Sequence, residues 1–275
     1  MSDWDLKTRP TSTAVATGAP RRRKAITLLE ILIAVGIAAM ILTATAALVK
    51  TSEDAFTENT DQAQGLQSGR LCLERIRRLF SESFANELFP GARVVGDLSP
   101  SGTFPECLVL WHPEQEPAEP DGRPRVCELI FFYPNPAQPN EVLEVTVPHR
   151  NNPAPEYEDG AAWRNLVKTV KLDGLRKTVT WSDQLRTFEI DGVRRGALRF
   201  QIRLRPSSAE WNDSTVPWEA MAWPQGLFSP QTGMRHVWLA VELQIQTRRG
   251  DASASGAVPL FGSVGRMYVL RADRR

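Results

Sequence analysis

Between Ile26 and Val49 lie 24 residues that carry one ionisable side chain, Glu30. As an α-helix rising about 1.5 Å per residue, such a run is roughly 36 Å long, enough to cross the hydrocarbon core of a bilayer. Arg21, Arg22, Arg23 and Lys24 stand directly before it. A basic flank keeps its end of a spanning helix on the cytoplasmic side, so the C-terminal 225 residues are expected beyond the membrane. Residues 1–25 carry a net charge of +4 and the rest of the chain −3. The overall charge of +1 argues against a dedicated nucleic-acid binder. An apolar content of 42% supports a real core but not a polytopic membrane protein.

Two simple readings compete for the apolar run. A signal peptide has an apolar region of about 7–15 residues, shorter than this one, although Ala44-Thr45-Ala46 has the form of a cleavage site. A plain single-pass anchor accounts for the apolar residues and leaves Glu30 unexplained. A carboxylate in the hydrocarbon core costs about 2.5–3.5 kcal/mol on insertion scales, so it calls for a partner or a purpose. Glu30 also lies within about 6 Å of the start of the run, from where it could snorkel to the interface.

Ala25-Ile26-Thr27-Leu28-Leu29-Glu30 followed by ILIAVGIAAMIL resembles the class III signal of type IV pilins and pseudopilins. The resemblance implies that a prepilin peptidase cuts between Ala25 and Ile26, removing residues 1–25 as a basic leader. Ile26 is then N-methylated. The family has Gly before the cut; here Ala25, also small, stands in its place. Counting from Ile26, Glu30 occupies the family's fifth mature position. There it is implied to neutralise the N-terminal amine of a neighbouring subunit during assembly. Ile26 and Glu30 are four residues apart and share a helix face.

Beyond Lys50 the chain turns polar. Leu66, Leu73, Ile76, Phe80, Phe84 and Leu88 then recur at helical spacing, which predicts an amphipathic stem helix over residues 50–89 stopped by Pro90-Gly91. Glu74 is placed to pair with Arg78. Gly65 and Gly69 mark a weak point where the helix could kink. After residue 90 the period shifts toward two. Strands are predicted over 108–111, 127–133, 142–147, 166–172, 178–181, 188–190, 197–204, 237–246 and 267–270. Alternation such as Leu198, Phe200, Ile202 and Leu204 against Arg199, Gln201 and Arg203 gives each sheet a solvated face. The fold class is therefore α+β: a long N-terminal helix, half membrane-spanning (26–49) and half stem, packed on an antiparallel β-rich head of two sheets over residues 90–275. Pro-rich, partly acidic loops at 112–125, 134–140 and 148–160 read as solvated connections or as a partner-binding rim.

A head of this size suits a minor subunit. A strand, Trp211, Trp218 and a long apolar strand follow one another in the order of the J-type minor pseudopilin of type II secretion. The alternative is that these aromatic residues pin a long loop to the core. The J-type resemblance implies a non-catalytic subunit at the tip of a secretion pseudopilus that helps initiate assembly and export folded proteins. Its implied partners are the I-type and K-type minor subunits, the major pseudopilin, the prepilin peptidase and the inner membrane. A W-type minor pilin of a type IV pilus, serving adhesion, motility or DNA uptake, shares the same N-terminus. For DNA uptake, Arg194, Arg195, Arg199, Arg203 and Arg205 would form the basic stripe, or simply a solvated face. A third reading is a membrane-anchored periplasmic enzyme or binding protein.

No Walker loop, G-x-S-x-G, H-E-x-x-H or C-x-x-C occurs, so neither catalysis nor a cofactor is expected. His112, His149 and His236 are scattered, and no metal site is read from them. Cys107 and Cys127 flank the acidic loop on neighbouring predicted strands, where an oxidising periplasm would allow a disulfide. Cys72 is expected to act as a small buried hydrophobe on the stem.

Overall fold

The computed structural model describes residues 26–224, 232–246 and 257–270. The chain divides into two compact units, Met1–Asp54 and Ala55–Arg275. One helix, α1 (Leu28–Glu82), contributes to both. In the first unit every helical residue is exposed, including Ile31, Leu32, Ile37 and Leu48. This part of α1 is long and apolar enough to cross a membrane. Thr43, Thr45 and Thr51 turn their hydroxyls back onto the carbonyls of Met40, Ile41 and Ala47, so these polar groups are satisfied within the helix.

In the second unit α1 buries Gly65, Gly69, Cys72, Ile76, Leu79 and Phe80, a stripe at steps of three and four. The helix is unbroken at Gly65 and Gly69, contrary to the expected weak point. Both glycines are buried because the chain passes too close to Gln184, Ile245 and Leu260 to admit side chains. The helix stops at Glu82, before the predicted end near residue 89. There the Ser83 hydroxyl donates to the Phe80 carbonyl, and the Phe84 N–H is taken by the Trp111 carbonyl instead of continuing the helix. Phe84 therefore packs edge-on against Trp111, and Leu88 is exposed. Glu74 pairs with Arg77, and Arg78 with Glu82, rather than Glu74 with Arg78.

The strands β1 (Ala92–Ser99), β2 (Gly102–Trp111), β3 (Leu129–Pro134), β4 (Val142–Thr146) and β5 (Lys177–Ser182) form one antiparallel sheet in chain order. A hairpin, β6 (Thr187–Ile190) and β7 (Val193–Gly196), makes a two-stranded sheet. The strands β8 (Leu198–Arg205), β9 (Met234–Gln246) and β10 (Ala257–Val269) make a third sheet in the order β10-β9-β8. The described head thus has three sheets where two were expected.

β2, β3 and β4 of the five-stranded sheet are covered on both faces, so the expectation of a solvated face fails there, while most of β5 is exposed. Leu108, Leu110, Ile130 and Phe132 pack with the α1 stripe and with Leu239, Val241 and Leu243 of the three-stranded sheet. Val109, Trp111, Phe131 and Tyr133 pack on the opposite side with Trp163, Val167 and Val170. Double coverage explains why β3, Leu-Ile-Phe-Phe-Tyr-Pro, is apolar at every position.

Those last three side chains belong to α2 (Gly160–Leu172), which replaces the strand predicted over 166–172. Trp163, Val167 and Val170 are spaced for one helix face, and the Asp159 carboxylate caps the helix by accepting from the Ala162 N–H at 2.9 Å. A short helix, α3 (Ser208–Asn212), follows β8. The other eight predicted strands all overlap observed ones, four of them lying wholly within, while β1 and β7 were not anticipated.

Candidate functional site

The first candidate lies at the start of α1. Thr27 and Glu30 close a reciprocal cap. The Thr27 N–H and hydroxyl both donate to Glu30 Oε2, at 3.0 and 3.1 Å, and the Glu30 N–H donates to the Thr27 hydroxyl at 3.2 Å. The arrangement satisfies free N–H groups at the helix start and sets a carboxylate against its positive end. The signature Thr-x-x-Glu was present in the sequence and was missed. Ile26 stands exposed just before the helix, beside this carboxylate in sequence but not bonded to it. Ala25 and the basic leader lie outside the described residues.

In the head, Cys107 and Cys127 are not bonded to each other; all three cysteines are free thiols. The strand register explains why. Trp111 lies opposite Leu129, so Cys107 is four residues, roughly 13 Å, down β2 from the end that Cys127 adjoins. Cys107 is fully enclosed, and burial pushes its thiol up to about 12. Cys72 is enclosed as expected, its thiol likewise raised to about 12 by burial and then by Glu144.

Arg195, an expected member of a basic stripe, is buried instead. Its Nη1 donates to Glu106 Oε2 and its Nη2 to Asp97 Oδ2, each at 3.0 Å, while Lys171 Nζ donates to the other Glu106 oxygen at 3.0 Å. This network joins β1, β2, β7 and α2, and its long sequence separations left no signal in the sequence. Arg194 donates to the Thr187 hydroxyl across its hairpin. Arg199, Arg203 and Arg205 alone of the stripe share one exposed face, on β8.

Trp211, Trp218 and Trp223 form a chain of ring contacts with centroids 6.2 and 4.6 Å apart, and Trp223 Nε1 donates to the Trp218 carbonyl. They pack against the core beside Met221 and Leu270, as the loop-pinning reading anticipates. The histidines are dispersed: His112 faces Glu82 at 3.6 Å, His149 faces Asp173 at 3.1 Å, and His236 lies over Gly265. Among the described residues no group of three or more His, Cys, Asp or Glu side chains is placed to hold a metal ion. No family model, curated protein or solved structure matches this chain. On its own geometry it is an α+β protein whose first helix begins with an exposed apolar segment, capped by Thr27 and Glu30, that is suited to a membrane.

Proposed function

We propose that the chain is a minor pseudopilin of the J type: a non-catalytic subunit at the tip of a type II secretion pseudopilus that helps initiate assembly and export folded proteins. The observation that carries this reading is one carboxylate, Glu30, set one turn into an otherwise uncharged apolar segment with a basic run before it. The long helix and antiparallel head agree with it. In this reading a prepilin peptidase removes residues 1–25 and Ile26 becomes the methylated N-terminus. The segment 26–49 crosses the inner membrane once, with its N-terminal end cytoplasmic and the head periplasmic. On assembly it enters the filament core, where Glu30 meets the amine of the neighbouring subunit. Its partners are the I-type, K-type and major pseudopilins. A buried carboxylate paired with an ammonium is far less unfavourable than one left alone.

The test is the intact mass and N-terminal peptide of the membrane-extracted protein. A chain beginning at methylated Ile26, retained with I-type and K-type subunits on co-purification, is the expected result. A chain beginning near Ala47 would make the head a secreted soluble protein and end the filament reading. An uncut chain would leave a simple anchor.

A further inference from the structure

The outer face of the three-stranded sheet carries an excess of positive charge. Arg199, Gln201, Arg203 and Arg205 alternate along β8, all exposed, while Leu198 and Phe200 point into the core. Among the described residues none of these three arginines meets a carboxylate within ion-pair distance. Strand register sets Arg199 beside Glu242, Gln201 beside Ala240 and Arg203 beside Trp238. The Arg203 guanidinium lies over the Trp238 ring, 5.4 Å from its centre, and Phe261 on β10 is 71% exposed on the same face.

Two hollows meet here. One, of about 390 Å³, lies between the start of β2, the β6–β7 hairpin and β8, with Phe104, Phe188 and Ile190 supplying apolar wall. The other, of about 730 Å³, runs over β8, β9 and β10. Pro105, Arg199 and Glu242 line both, so they form one trough. From Ala197 to Ile202 it follows β8 for roughly 17 Å, and Arg203 stands at its end over the lining residue Trp238. Within it Arg195 and Glu106 bond to each other, and Arg186 donates to Gln244. Arg199 and Arg203 therefore remain to receive an anion, with Glu242 as the nearby opposing charge.

We propose that this trough binds an extended acidic segment of a partner protein, with carboxylates on Arg199 and Arg203 and an apolar side chain in the hollow beside the hairpin. Side chains on one face of an extended peptide repeat every 6–7 Å or so, the spacing of alternate residues on β8. A guanidinium fork donates two parallel hydrogen bonds to a carboxylate. Single-stranded nucleic acid would also use cations and exposed rings. Its unbroken line of phosphates, however, must pass Glu242, whereas a peptide can set a neutral residue there.

The test uses the full chain in nonionic detergent micelles, with protein-free micelles as the blank. Fluorescein-labelled Glu-Ser-Glu-Ser-Glu-Val is titrated by anisotropy beside its lysine counterpart and a labelled oligothymidylate. Saturable binding of the acidic peptide alone is expected, weakened about tenfold or more in Arg199→Gln/Arg203→Gln and weakened by added salt. A single Arg199→Gln variant repeats the comparison should the double variant not fold. Failure of the acidic peptide to bind, equal binding by the variants, or tighter binding of the oligothymidylate would each overturn the proposal.

Discussion

Arg75 on α1 and Glu144 on β4 meet through two parallel hydrogen bonds, Nε to Oε2 at 3.0 Å and Nη2 to Oε1 at 2.8 Å. Trp181 Nε1 donates to the same carboxylate at 2.7 Å, and the Glu144 side chain is only 8% exposed. Glu144 raises the Arg75 pKa, chiefly through these hydrogen bonds. Removing Arg75 leaves a desolvated carboxylate with one neutral donor. Breaking a fully buried pair costs about 3–5 kcal/mol, and the partial exposure of Arg75 reduces that to about 2 kcal/mol. Arg75→Met is expected to lower the thermal midpoint of the head by roughly 4–8 °C in a calorimetric scan. Adding Glu144→Gln to Arg75→Met should recover part of the loss, because the stranded charge is then gone. An unchanged midpoint in the single variant would mean that the fork holds nothing in place.

Gly69 gives a prediction in which two effects oppose. In an exposed helix, replacing Gly by Ala stabilises by about 1 kcal/mol. At Gly69 an added Cβ would come 2.8 Å from Leu260 Cδ1 and 2.9 Å from Ile245 Cγ1, so these two side chains, on β10 and β9, must shift. Overpacking of this kind costs about 1–3 kcal/mol, and a β-branched residue adds further crowding. Gly69→Val is therefore expected to lower the denaturant midpoint by more than Gly69→Ala. A Gly69→Val protein as stable as the original would show that the helix and sheets separate more easily than their packing implies.

The helix and most strands were legible because their periodicities are strong and local. Ile76 and Phe80 fall at helical spacing, and Val237 to Ile245 alternate without interruption. Legibility failed where the second layer decides. The sequence from Leu166 to Leu172 has enough β-branched and apolar residues to read as a strand, and only the Asp159 cap and the buried positions Trp163, Val167 and Val170 mark a helix. Arg195 reads as surface charge because its partners, Asp97 and Glu106, are about ninety residues away in sequence. The Arg199–Trp238–Phe261 face depends on the register of three strands, which composition cannot supply. At α1 the reverse holds: Thr27 and Glu30 are three residues apart, and their cap was readable from the sequence alone.

Glu30 has two separable contributions, a cap within its own helix and a charge available to a neighbour. Gln can close the same capping box through its side-chain carbonyl but carries no charge. If assembly depends on pairing with a neighbouring ammonium, Glu30→Gln and Glu30→Ala should both leave cleavage after Ala25 intact and both lose co-purification with partner subunits. If the cap is what assembly needs, Glu30→Gln should behave like the original protein. Mass spectrometry of the N-terminus and partner recovery from membranes distinguish the cases, and full recovery with Glu30→Ala would remove both roles.

Acid should loosen the head through three carboxylates held below their ordinary range. Asp173 accepts first from the Leu175 N–H, at 2.9 Å, and then from Arg150 Nε, at 2.6 Å. Asp191, at the tip of the β6–β7 hairpin, is lowered by the Ser101 and Ser99 hydroxyls and by the Ser101 N–H. Glu210 is lowered by the Ser207 hydroxyl and N–H, and more weakly by the Ala222 N–H. A carboxyl whose folded value is depressed binds fewer protons folded than unfolded. Its contribution is therefore complete above the unfolded value of about 4 and is lost as pH falls through the lower folded value. Thermal midpoints should respond little to these groups between about pH 6 and 8 and fall steeply below about pH 4. In Asp173→Asn/Asp191→Asn the neutral midpoint should drop and the acid slope should flatten, because two of the groups that take up protons on unfolding are gone. An unchanged slope in that variant would place the acid sensitivity elsewhere in the head.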